Sequence, residues 1–337
     1  MPARKRPIAV TALSAIVAAC LLVPAEADAR SAPTTTGPSA TFTFPATGST
    51  SYGTIDGWSV SWDVTGNFAT QRVTEATAPA DADGGCRSVS YVDGAVHDGA
   101  ISPLNVGGDP GSCHRYRVGL LDHSGHVLAT AISGNLRSLT SWTGYEELFR
   151  HGEFSTQLTW TWCVGASVQI MLNEIKGRHD HSRHSQWTYM RYARQHDRHY
   201  RRPIRGSDPQ GWAAALNRFN GGSGYRVHAD GNFQRAVHDA ARRIRLTGHP
   251  VGLLVKTGVH AWVMSGFKAT ADPALTNNFI VTAVYVEGPL FPMQQAYGYD
   301  MAPDTRLSLA RFRLFFRRYD DRRAGTAWDN RFVTIQP

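Results

Sequence analysis

The sequence predicts an α+β protein: an antiparallel β-sandwich comes first and a helix-led α+β region follows. Three observations predict it. Residues 41–138 consist of short alternating strands separated by Gly, Asp and Pro clusters. A run of helical spacings then begins at Cys163. After Gly248 the chain changes abruptly to β-branched and aromatic strand segments. With 42% hydrophobic and 10% aromatic residues, the 337-residue chain is too apolar for disorder and long enough for two cores.

Taken in order, Arg4, Lys5 and Arg6 precede an apolar run from Ile8 to Val23, closed by Pro24 and by small residues ending at Ala29. A charged start, a short apolar stretch and alternating small residues predict a secretory signal peptide over 1–29. The alternative is a lipid anchor at Cys20, although Leu21, Leu22 and Val23 carry the apolar run past that thiol. No later segment is long and apolar enough to span a bilayer, so no stable membrane insertion is expected after cleavage. Residues 30–40 read as a Ser/Pro/Thr-rich linker.

The net charge of +8 comes from 31 arginines against four lysines. It favours anionic partners, but ordinary solubilising surface explains it as well. No recognition motif accompanies the arginines, so nucleic acid is not expected as a partner. Export leaves Cys86, Cys113 and Cys163 in an oxidising compartment, an odd number. The simplest solution pairs Cys86 with Cys113 inside the β-rich half and leaves Cys163 as a thiol.

In the first half, Trp58, Val60, Trp62 and Val64 alternate with polar residues, as does the stretch from Tyr116 to the turn at Asp122 and Gly125. This half, 41–138, loosely resembles immunoglobulin-like or fibronectin-III-like modules. In the second, 139–337, Val164, Val168, Met171, Leu172 and Ile175 predict a helix starting at Cys163. Asp208 and Pro209 open another that stops at Asn220 and Gly221, and Asp230 or Asn232 caps a third ending at Gly248. Strands are expected over 251–256, 261–268, 279–286 and 331–335. Phe312, Phe315, Phe316 and Tyr319 return to helical spacing as core packing.

The candidate chemistry centres on Cys163, placed where a loop becomes a helix. The positive end of the helix dipole favours thiolate there. Gln157, six residues earlier, is a candidate oxyanion donor together with the Cys163 N–H. His260, between two strand-like runs, is the candidate base. Neither a metal nor an organic cofactor is expected. The histidines at 179, 181, 184, 196 and 199 lie in a segment, 176–205, crowded with arginine, which reads as a solvated cationic face rather than a metal site.

Gln157, Cys163 and the run Gly258, Val259, His260, Ala261 resemble papain-fold cysteine peptidases, in the branch similar to bacteriocin-leader (double-glycine) peptidases. The resemblance covers the chain from about Gln157 to its end. It implies a papain-like α+β domain and a Cys–His acyl-enzyme mechanism acting on protein or peptide substrates, cell-wall peptides included. These enzymes usually carry an imidazole-orienting carboxylate in a pair such as Asp-Pro at the end of the strand after the histidine. Here that position is Gly288, before Pro289, and Glu287 stands one residue early. Glu287 is therefore the candidate orienting residue, and it reaches His260 only if a bulge or a twist at the strand end cancels the one-residue change of face. The alternatives are a cell-wall amidase or acyltransferase using the same residues, and a non-catalytic binding protein on a peptidase scaffold.

Overall fold

The computed structural model describes residues 37–82, 84–199, 206–222, 224–293, 300–320 and 326–337. The predicted signal peptide and Cys20 lie outside the described residues.

The first half contributes β1 (Ser39–Phe44), β2 (Thr50–Thr54), β3 (Trp58–Thr65), β4 (Thr70–Pro79), β5 (Val92–Asp98), β6 (Leu104–Val106), β7 (Ser112–Leu121), β8 (Val127–Ile132) and β9 (Asn135–Leu139). A three-stranded sheet runs β1-β3-β6. A six-stranded sheet runs β2-β9-β7-β4-β5, with β8 paired to β7. All pairings are antiparallel except β2 with β9. Period-two alternation decides which side chains go inside: Trp58, Val60 and Trp62 of β3 meet Val73, Tyr116, Val118 and Leu136 in one core shared by both sheets. Inside it the Tyr116 hydroxyl accepts from Trp58 Nε1 and donates to Glu75, each at 3.0 Å. Both polar aromatics are thus satisfied in the core. The Cys86–Cys113 disulfide, with Cα atoms 5.7 Å apart, ties the loop after β4 to β7.

The chain then adds β10 (Tyr145–Glu147), α1 (Cys163–Lys176), α2 (Arg183–Gln195), α3 (Pro209–Phe219), β11 (Arg226–Asp230), α4 (Phe233–Thr247), β12 (Val251–Val255), β13 (His260–Ala269), β14 (Val281–Glu287), β15 (Thr305–Ser308), α5 (Leu309–Phe312) and β16 (Phe332–Gln336). These strands form a seven-stranded antiparallel sheet in the order β11-β16-β12-β13-β14-β15, with β10 also on β13. Its centre is covered on both faces, which is why β12 and β13 read as nearly continuous apolar runs. Leu253, Trp262 and Met264 face α4 through Ala240 and Ile244. Leu254, Ala261 and Val263 face α1 and α3 through Val168, Met171 and Leu216.

Helix ends follow their side chains. Asp208 accepts from Gly211 N at 2.8 Å, with Pro209 in the first turn of α3. Asn232 accepts from Arg235 N at 3.1 Å, and Gly248 closes α4 at φ 67°. Two expectations need correction. Phe312, Phe315, Phe316 and Tyr319 do not share a helix: α5 ends at Phe312 and turns follow, although Phe312, Phe316 and Tyr319 are buried as core residues. The described part of the cationic segment, 176–199, is more than a solvated face, because α2 buries Gln186, Met190 and Ala193 while presenting its arginines outward. There, His196 Nδ1 lies 2.8 Å from the Tyr192 carbonyl and His199 packs edge-on against Trp328.

Where β9 leaves the first half, buried Arg245 of α4 bonds the Thr140 carbonyl and hydroxyl, Glu146 and Asp272. Residues Pro38–Pro337 form one compact unit. Among the described residues, no helix is long and apolar enough to cross a membrane.

Candidate active site

Cys163 is the first residue of α1. The preceding Trp162 contributes no side-chain cap, and the first turn holds no acid. The helix therefore presents uncompensated N–H groups and positive dipole to the half-buried thiol. Gly165, one turn in, is what lets α2 approach. A Cβ there would lie 2.7 Å from the Gln186 carbonyl and 2.8 Å from Met190 Cβ.

His260 opens β13. The turn before it passes through Lys256 and Thr257 at φ 54° and 64°, a left-handed corner that swings the chain from β12 back into β13. His260 Nε2 lies 2.7 Å from Asp300 Oδ2, which leaves Nδ1 as the ring nitrogen for the neighbouring thiol of Cys163. Asp300 is fully enclosed. It accepts from Trp262 Nε1 at 2.8 Å and Leu290 N at 2.7 Å, and Lys256 Nζ stands 3.5 Å away. The array is thus Cys163, His260, Asp300, with the carboxylate itself fixed by three donors besides the imidazole.

Its electrostatics follow from that geometry. Burial alone would raise the thiol pKa, but the His260 hydrogen bond and charge, with the Ala261 and Val164 N–H groups, bring it below the ordinary cysteine value. Burial alone would lower His260. The Asp300 hydrogen bond, then Cys163 and both opposing charges, lift it instead to about 9. Burial likewise works to raise Asp300, and the His260 bond and the Lys256 charge hold it below the usual carboxylate range. Thiol down and imidazole up is the signature of a thiolate–imidazolium pair.

Glu287 is not the orienting group, and the sheet register gives the reason. It sits opposite Val263, so both side chains face the α1 layer. His260 shares the other face with Trp262. No bulge separates Val263 from Glu287. Its carboxyl instead meets Glu174 of α1 and Ser265; burial pushes it up to about 7, and burial with the neighbouring Glu287 pushes Glu174 well above its ordinary value.

Gly288, the next residue, is on the correct face but has no side chain. A Cβ there would lie 2.5 Å from Asp300 Cγ. The carboxylate sequence reasoning sought at 288 arrives from Asp300, and the glycine leaves it room. The signal was present: Asp300 is the first acidic residue after Glu287.

Gln157 is fully buried on the loop before α1. Its backbone N–H donates to the Pro289 carbonyl at 2.7 Å, and Gln186 of α2 grips the same loop, accepting from Leu158 N at 2.7 Å and donating to the Thr156 carbonyl at 3.1 Å. The Gln157 amide donates to the Thr159 carbonyl at 2.8 Å, and its buried Oε1 meets no hydrogen-bond donor among the described residues. Gln186 was not singled out from sequence, because a glutamine in an arginine-rich helix carries no visible mark.

The chain matches no protein-family model, no curated protein and no solved structure.

Proposed function

We propose that this chain is a secreted papain-like thiol hydrolase that cleaves peptide or amide bonds through an acyl-enzyme, its first half being an immunoglobulin- or fibronectin-III-like sandwich. The observation that carries the reading is the Asp300–His260–Cys163 relay, in which a buried carboxylate holds an imidazole against an unpaired thiol at a helix start. Export is supported by the charged and apolar N-terminal sequence and by the disulfide in the first half.

In this mechanism the Cys163 thiolate attacks the substrate carbonyl. The Cys163 N–H, free of intrahelical partners at this position, and the second Gln157 amide hydrogen receive the developing oxyanion. His260 Nδ1 gives its proton to the leaving amine as the C–N bond breaks. It then takes a proton from the water that cleaves the thioester, and the departing thiolate restores the thiolate–imidazolium pair. Asp300 keeps Nε2 protonated throughout, so that Nδ1 is the nitrogen that exchanges protons with the thiol and substrate.

The non-catalytic alternative drew its support from the missing carboxylate at 288. That support weakens once Asp300 fills the place. The test is turnover of an unfolded protein such as denatured casein. Cys163-dependent cleavage supports the proposal; cleavage retained by Cys163→Ala, or no amide turnover by the wild-type protein, contradicts it.

A further inference from the structure

Beside the nucleophile, the outer face of α2 and the residue before Cys163 build a second feature. Arg183, Trp187, Arg191 and Arg194 recur along α2 at helical spacing and are all exposed. Trp187 and Trp162 together line two neighbouring depressions, one of about 250 Å³. Arg191 lies 4.3 Å above the Trp187 ring and Arg183 lies 5.3 Å from that of Trp162. Among the described residues, no aspartate or glutamate lines either depression.

The exposed Trp187 indole is expensive to leave in water unless something covers it, and guanidiniums held against indole faces are positioned to fork onto a carboxylate. Trp162 joins this surface directly to Cys163, since the two are consecutive residues.

We propose that this cleft is a substrate subsite for a peptide bearing a carboxylate side chain within two residues of the scissile bond. Trp162 and Trp187 stack on the peptide and its side chain, while Arg183 and Arg191 take the carboxylate. The proposal rests on the hydrolase reading for the meaning of the scissile bond, but the binding itself does not require turnover. It commits to an acidic peptide because the arginines stand over aromatic faces suited to planar peptide groups. A bare polyanion would use their charge alone.

The experiment pairs two fluorescent peptides that differ only in Glu against Gln, with the position walked along both sides of a cleavage site mapped in casein. Affinity is measured on the full chain carrying Cys163→Ala. The expected result is about fivefold or tighter binding of the Glu peptide at one position at low salt. That preference disappears in Arg183→Gln/Arg191→Gln, and Trp187→Ala weakens both peptides.

Equal affinity of the pair at every position, or a preference unchanged by the arginine substitutions, overturns the subsite. So does displacement of the Glu peptide by inorganic polyphosphate at equal charge concentration. Should casein yield no cleavage site, the walk is made along a fixed peptide scaffold and the binding outcomes stand. Loss of the hydrolase reading would then register separately, as absence of Cys163-dependent turnover with the Glu preference intact.

Discussion

Replacing Asp300 by asparagine tests the relay with little change of shape. The isosteric amide can still accept from Trp262 Nε1 through its oxygen, so the fold should hold. What is lost is the charge beside His260, together with the acceptor that Oδ2 offers to Nε2 and to Leu290 N. The rise of the imidazole from 6.5 to about 9 corresponds to about 3 kcal/mol of preference for the protonated ring. Asp300 is the largest of the groups producing that rise, ahead of Cys163, and burial opposes them both.

Losing most of that preference predicts a fall of more than about tenfold in kcat/KM. The amide N–H₂ group facing Nε2 would also favour the tautomer with its hydrogen on Nδ1, which cannot take the thiol proton, and this adds to the loss. The assay is peptide hydrolysis across pH, with thermal melting as the control. In the wild-type protein, activity falls as pH rises through about 9, when the imidazolium gives up its proton. In Asp300→Asn that limb moves towards the ordinary histidine value. Activity within twofold of wild type, with an unmoved alkaline limb, would refute the reasoning.

Gly288→Ala should mimic that loss, because its methyl would enter the space of the Asp300 carboxylate; a fall in kcat/KM of at least about tenfold with retained melting is expected, and full activity would contradict the packing argument. Glu287→Gln should leave kcat/KM near wild type, whereas a loss matching that of Asp300→Asn would restore Glu287 to the relay. The same substitution should stabilise the protein in a pH-dependent way. The folded carboxyl sits at about 7 against 4.5 when unfolded, so wild-type stability is full below about 4.5, declines as pH rises to about 7 and is level above. Urea denaturation should therefore show a gain of about 3 kcal/mol for Gln at pH 8 and little at pH 4.5; an equal effect at both would exclude ionisation as its origin. Replacing both Cys86 and Cys113 by serine should cost about 3 kcal/mol through the 27-residue loop they close, read by the same denaturation.

Local signals carried far in this chain. Helix α1 with its thiol, the Asp208 and Asn232 caps, the Gly248 stop and the strands on either side of His260 all follow from spacing and side-chain chemistry over a few residues. Alternation in β3 likewise identified Trp58, Val60 and Trp62 as inward-facing. What stayed hidden depended on tertiary register. Whether position 287 or 288 faces His260 is decided by the pairing of Val263 with Glu287, and Asp300 is separated from Glu287 by twelve residues, too far for local pattern to place it. Helix α2 was obscured because its buried positions, Gln186, Met190 and Ala193, are few and one is polar. The aromatic run after Phe312 misled for the opposite reason: buried rings at helical intervals also arise from successive turns packed against one sheet.

The most direct measurement is the rate at which iodoacetamide alkylates Cys163 as a function of pH, in the wild-type protein and in His260→Ala. A thiolate held by imidazolium predicts wild-type labelling that is already fast at pH 6 and nearly level to pH 8. The variant should rise about tenfold per pH unit over the same range, as a free thiol does below its pKa. Parallel curves with that slope in both proteins would mean that Cys163 is an ordinary thiol, and the proposed hydrolase would be wrong.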